Sequence, residues 1–231
     1  MLKNILIIVG LFYYSISISQ NRAGIIEYSI ADVNVTFKEG NAQNDLIRSF
    51  IVAAKNQKYE LKFNNAVSSF SSIESLTREG IDEHAIKMAK IAFITSDAFY
   101  LDLNKKELVT KKQDNILLKS EALSSGWTIL TETKLIDKYL CYKAEYKKPR
   151  INRFGKEIVL TITAWFAPSL PYSFGPIDFH GLPGLILELQ QSYTTYLATK
   201  IMIQDKEIEI EFPQGKTITS QEYDKKLLSG N

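Results

Sequence analysis

The stretch Tyr172-Ser-Phe-Gly-Pro-Ile-Asp-Phe-His-Gly-Leu-Pro-Gly-Leu-Ile-Leu-Glu-Leu189 constrains this chain more than any other. Three glycines and two prolines fall within it, just ahead of an aliphatic run. Glycine opens backbone angles closed to other residues and allows close approach, while proline fixes φ and removes a donor. Gly175-Pro176 and Gly181-Leu182-Pro183-Gly184 therefore define a narrow path that delivers the chain into a strand starting at Leu185. With Pro168 and Pro171 upstream, four prolines lie within sixteen residues, which marks an ordered loop and not a strand interior. These glycines and prolines shape backbone and carry no chemistry of their own.

Around this loop the chain reads as strands joined by short turns. Gly24–Phe37 predicts a first strand, broken near Ala31-Asp32, and Gly40 marks the turn that follows it. Leu46, Ile47, Phe50, Ile51 and Ala54 form one stripe, so Asp45–Lys55 is expected as an amphipathic helix capped by Asn44 or Asp45. Gln57–Phe63 and Ala66–Ile73 make a hairpin about Asn64-Asn65. A short helix is expected over Asp82–Ala92, and Phe93–Asn104 with Glu107–Lys112 gives a second hairpin. Trp127–Lys134 and Tyr139–Tyr146 flank a turn at Asp137-Lys138, and Lys147–Arg153 reads as a basic loop before the strand Glu157–Phe166. Leu185–Gln191 and Tyr196–Asp205 form a last major hairpin. Ile208–Phe212 alternates as a strand with one wet face, and Gln221–Leu228 as a short helix. Strands without βαβ alternation imply a mainly β (α+β) fold with an antiparallel sheet. So many strands tend to curl. A curved, partly closed antiparallel sheet with one or two covering helices is expected, similar to the half-barrels of periplasmic lipoprotein carriers.

The N-terminus reads as a secretory signal peptide over residues 1–19. Lys3 supplies the positive start, Ile5–Tyr14 the apolar run, and Ser17-Ile18-Ser19 the small residues before cleavage. Residues 20–231 are then one antiparallel β domain, exported to the periplasm or beyond, and no other run approaches the ~20 apolar residues of a membrane span. Cys141 is the only cysteine, so no intramolecular disulfide forms. A net charge of +2 and a pI near 8.4 lack the basic footprint of a nucleic-acid protein, whose domain pI exceeds roughly 9.

Three blocks in order, Trp127–Ala144, Ala164-Trp-Phe-Ala-Pro-Ser-Leu-Pro171 and Gly175–Glu188, give the chain a family resemblance. It resembles the GLPGLI family of exported Bacteroidetes proteins, which takes its name from the third block. The resemblance implies an exported protein and brings no reaction, cofactor or catalytic residue with it.

The residues themselves offer few catalytic sets. No Walker loop, G-x-G-x-x-G, H-E-x-x-H or G-x-S-x-G elbow occurs, so neither cofactor nor metal is expected. His180 with Asp178 falls short of the three or four ligands a zinc site needs. Cys141 alternates with tyrosines on a strand, where a small buried hydrophobe is the ordinary role. Trp127, Trp165, Phe174, Phe179 and His180 cluster about the Pro-rich loop. They either pack it onto the sheet or line a face for an apolar ligand or an envelope protein. Gly175, Pro176, Gly181, Leu182, Pro183 and Gly184 are structural. The leading expectation is a non-enzymatic binding or accessory protein. The alternative is an exported hydrolase or metal-dependent enzyme centred on His180 and Asp178, joined by Cys141 or Glu188.

Overall fold

The structure, a computed structural model, describes residues 23–35, 43–73, 82–122, 126–151 and 155–229. The signal-peptide segment, the Gly40 turn and the end of the basic Lys147–Arg153 stretch lie outside these residues. In chain order the elements are β1 (Ala23–Val33), α1 (Gln43–Asn56), β2 (Lys58–Phe63), β3 (Val67–Ile73), α2 (Glu83–Ala92), β4 (Ala98–Asp102), β5 (Glu107–Lys111) and β6 (Leu117–Glu121). Then come β7 (Thr128–Ile136), β8 (Tyr139–Ile151), β9 (Glu157–Ala167), β10 (Leu185–Gln191), β11 (Thr194–Gln204), β12 (Thr217–Ile218) and α3 (Ser220–Ser229).

Local chemistry explains most of the boundaries. The side chain of Asp82 caps α2 by accepting from the His84 N–H at 3.1 Å, and Phe93 N–H closes the helix on the Ala89 carbonyl. Ala85 and Ala89, one turn apart, are its buried stripe. The break expected near Ala31-Asp32 is a register shift between Ile30 and Asp32 against β11. Helix α1 begins at Gln43, ahead of both expected caps.

All twelve strands form one sheet in the order β12-β6-β5-β4-β3-β2-β1-β11-β10-β9-β8-β7. Every pairing is antiparallel except that of β12 with β6, so the sheet is mixed, and β12 and β7 are its two outer strands. It is not closed into a barrel, yet it curls. β6 and β8, each second from an end, both line one cleft with Asp178 and His180. Nine strand spacings of a flat sheet would hold them roughly 43 Å apart.

The concave face follows from the register. Tyr142, Ala144 and Tyr146 pair with Phe166, Ala164 and Ile162. Ala164 continues to Leu189, Tyr196 and Ile30, while Tyr28 meets Tyr59 and Leu61 meets Phe70. All but Tyr142 and Tyr146 are buried. Tyr59 stacks on Phe70 at 5.2 Å and meets Tyr196 edge-on at 5.3 Å. Three pieces of chain fill this face. Helix α1 contributes Phe50, Ala53 and Ala54; residues 93–97 accept the Tyr59 hydroxyl at the Thr95 carbonyl; and the loop 168–184 contributes Phe174, Phe179 and Leu182.

The structure departs from the sequence reading in four places. Ile208–Phe212 joins no ladder among the described residues: Ile208, Ile210 and Phe212 turn inward as the alternation required, yet Phe212 packs on Tyr100 and the Ile208 carbonyl accepts from the Asn64 side chain. Lys147–Ile151 is strand, not loop. Pro149 is tolerated there because β7 pairs with β8 only as far as Glu145, so the proline faces an open edge. Phe93–Asp97 lies outside the sheet. Strands β6 and β12 were not expected, and neither shows clean alternation in its few residues.

Candidate functional site

The Pro-rich loop is bound into the sheet by its own backbone. Leu185 N–H donates to the Leu170 carbonyl, Ile186 N–H to Phe174, and Gly181 N–H to Ser173, while the Tyr28 hydroxyl reaches the Ile186 carbonyl at 2.6 Å. Gly184 sits where a Cβ would lie 2.3 Å from the Ala167 carbonyl oxygen, so nothing larger than hydrogen fits without moving backbone. Gly181 holds φ +90°, in the region glycine favours. Gly175 and Pro176 are buried, Gly175 against Ile186; Leu182 is buried and Pro183 exposed. Gly181 and Gly184 thus hold backbone positions that the turn into β10 passes through.

The loop brings Trp127, Phe179 and His180 together. Trp127 Nε1 donates to the His180 carbonyl at 2.9 Å, and its ring lies 6.0 Å from Phe179 and 5.8 Å from Tyr146. Phe174 packs on Phe63 at 5.6 Å, buried from any ligand. His180 is 5% exposed, with Nδ1 2.9 Å from the Asp178 carbonyl. Since a carbonyl only accepts, Nδ1 is the donor of this contact. Two clefts flank the ring. One of about 170 Å³ has Tyr146, Lys148 and Asp178 in its wall; the other, of about 370 Å³, has Leu103, Lys106 and Ser173.

The remaining candidates lie elsewhere. Cys141, Lys143, Trp165, Glu188 and Lys134 share the convex face, because Cys141 pairs with Lys134 and Trp165 with both Lys143 and Glu188. Lys134 Nζ stands 4.4 Å over the Trp165 ring and 2.6 Å from Glu188. Burial pushes the Cys141 thiol up to about 11, with the nearby Lys134 opposing it, so the sulfur is a protonated, inert group at neutral pH. His180 and Asp178 thus sit on one face, and Cys141 and Glu188 on the other. No cluster of three or more His, Cys, Asp or Glu suited to a metal occurs among the described residues.

A larger cavity, of about 700 Å³, opens at the other end of β4 and β5. The end of α2 with residues 93–97, the β5–β6 turn, the β10–β11 turn and Tyr223 of α3 form its walls. Its polar fittings are specific. Lys112 Nζ is 2.6 Å from Asp97 and 5.6 Å from the centre of the Tyr223 ring. Ser96 Oγ is buried with no hydrogen-bond partner, the one such side-chain atom among the described residues. Ile177, a β-branched residue held at φ +62°, joins this wall from the Pro-rich loop. No sequence motif announces the cavity, since its walls come from five separate segments.

These features define a mainly β protein whose open, curled sheet is plugged from within by its own loop and keeps a cavity beside the plug. The plug coincides with a family likeness: the family model described as "Protein of unknown function (Porph_ging)" matches residues 152–188, which include all of β9, the loop 168–184 and the first residues of β10, consistent with a Bacteroidetes family. No curated protein matches the chain significantly. Two solved structures of PNGF-II share the fold. The C2 crystal form matches with a TM-score of 0.56 at 14% identity, over 90% of this chain and 33% of that one. The P21 form gives 0.55 at 14% identity, over 88% and 32%. The chain therefore spans about a third of the length of PNGF-II.

Proposed function

We propose that this chain is an exported, non-enzymatic binding protein of the GLPGLI type, and that its ligand occupies the cavity of about 700 Å³. The cavity itself carries the reading. Its volume lies within the roughly 300–1,000 Å³ of small-molecule sites, and it combines aromatic walls with a few polar groups. An enzyme built on His180 and Asp178 lacks the second carboxylate or thiol it was expected to recruit, because Cys141 and Glu188 lie across the sheet. The aromatics Phe174 and Phe179 are consumed in packing, which moves the ligand away from the motif loop.

Native mass spectrometry of the full chain recovered from its own cell envelope tests this. A bound small molecule is expected on the wild type and not on Gln113→Trp, a substitution in an exposed turn at the cavity wall. Bare wild-type protein would argue against it. A polypeptide partner is a second reading, favoured by Leu135 and Leu140. These cross-strand neighbours on the β7–β8 hairpin are 70% and 47% exposed. Loss of a partner cross-link in Leu135→Lys would support that reading.

A further inference from the structure

Resting on the proposed binding role, the lining of the cavity narrows the ligand. We infer that it is a neutral, polyhydroxylated ring compound, that is, a monosaccharide or short oligosaccharide. The charges of the wall balance: Lys90 and Lys112 face Asp97 and Asp114. Lys112 and Asp97 already neutralise each other at 2.6 Å, each about three-quarters or more buried. A ligand of either net charge would have to compete with that pair inside a partly desolvated wall, at a cost a neutral ligand avoids. An aliphatic ligand fails for the opposite reason. It would cover Gln113, Gln191 and the ion pair without offering them a hydrogen bond, and burying polar groups unsatisfied is unfavourable.

A sugar ring meets both demands. Its C–H face packs on an aromatic ring, and Tyr193, 56% exposed, stands at this cavity together with Tyr223. Its hydroxyls donate to carboxylate or amide oxygens and accept from ammonium and amide N–H groups, so one ligand type serves both signs of the Lys112–Asp97 pair.

Saturation-transfer NMR on the full chain, with D-glucose, N-acetyl-D-glucosamine and cellobiose as probes, tests the ligand class. The neutral apolar dye N-phenyl-1-naphthylamine serves as the counter-probe. Saccharide signals are expected with wild type and at least fivefold weaker with Tyr193→Ala and with Gln113→Trp. The thermal midpoint of Tyr193→Ala should stay close to that of wild type, since more than half of that residue is already exposed. Saccharide signals that persist undiminished in both variants would place binding elsewhere and overturn the inference. Displaceable dye binding without any saccharide signal overturns the ligand class and leaves the binding role intact. Binding of neither probe, together with bare protein in native mass spectrometry, removes both.

Discussion

The indole Nε1 of Trp127 donates to the backbone carbonyl of His180 at 2.9 Å, tying the start of the edge strand β7 to the loop that plugs the sheet. The contact joins residues fifty-three apart. Trp127→Phe keeps the ring contacts with Phe179 and Tyr146 but strands the carbonyl. A loss of about 1–3 kcal/mol is expected in denaturant unfolding. An unchanged midpoint would show that the ring packing alone holds the loop.

Gly184→Ala tests the close approach to Ala167. The added Cβ meets a backbone oxygen and not a flexible side chain, so the strand has to move. The expected cost is about 1–3 kcal/mol, read as a thermal midpoint lower by about 2–4 °C for each kcal/mol. Gly126→Ala, where a Cβ meets nothing within 4 Å, is the matched control and should be near neutral.

Lys134→Met removes the cation from the Trp165 ring and from Glu188 together. The pair is partly exposed, so the stability change should stay near 1 kcal/mol or below. Trp165 fluorescence is the sharper measurement: its emission should shift in Lys134→Met and not in Lys143→Met, although Lys143 is its cross-strand neighbour.

Cys141 gives a pH prediction. Burial raises its folded-state value to about 11, above the ordinary thiol value of 9.0. An acid raised in this way favours the folded state below its unfolded value. That contribution is lost as pH rises from 9.0 towards 11, because only the unfolded chain releases the proton easily. Stability should therefore decline across that window more steeply in wild type than in Cys141→Ala. At pH 8 the thiol should react with a disulfide reagent only at the rate of chain opening; fast labelling of native protein would contradict its burial.

Much of the architecture was legible because local chemistry and tertiary context agree. Asn64-Asn65 turns a hairpin, Asp82 caps a helix, and the prolines 168–183 lie in ordered loop. What stayed hidden depends on distant chain. Alternation placed Ile208, Ile210 and Phe212 on an inward side, but a strand also needs a neighbour, and that stretch pairs with none. Lys147-Lys148-Pro149 looks like a solvated turn until β9 is seen to extend alongside it. The candidate residues about His180 were partly legible because they neighbour a dense motif. Ser96, Asp97, Lys112, Tyr193 and Tyr223 were not, since no spacing links them before the sheet curls.

The position of β1 sets the order in which this molecule can be completed. β1 lies between β2 and β11, and ten of its residues pair with partners in 194–204, so the central ladder must await nearly the last tenth of the chain. Strands β1 to β6 pair in sequence order, as do β7 to β11, so each run can form while synthesis continues; the β1–β11 ladder that joins the two runs cannot. Until the β10–β11 hairpin emerges, the first half has no second half to lean on. Truncations that remove β11 should therefore leave two runs of strands with no ladder between them, and the single cooperative unfolding transition should be lost.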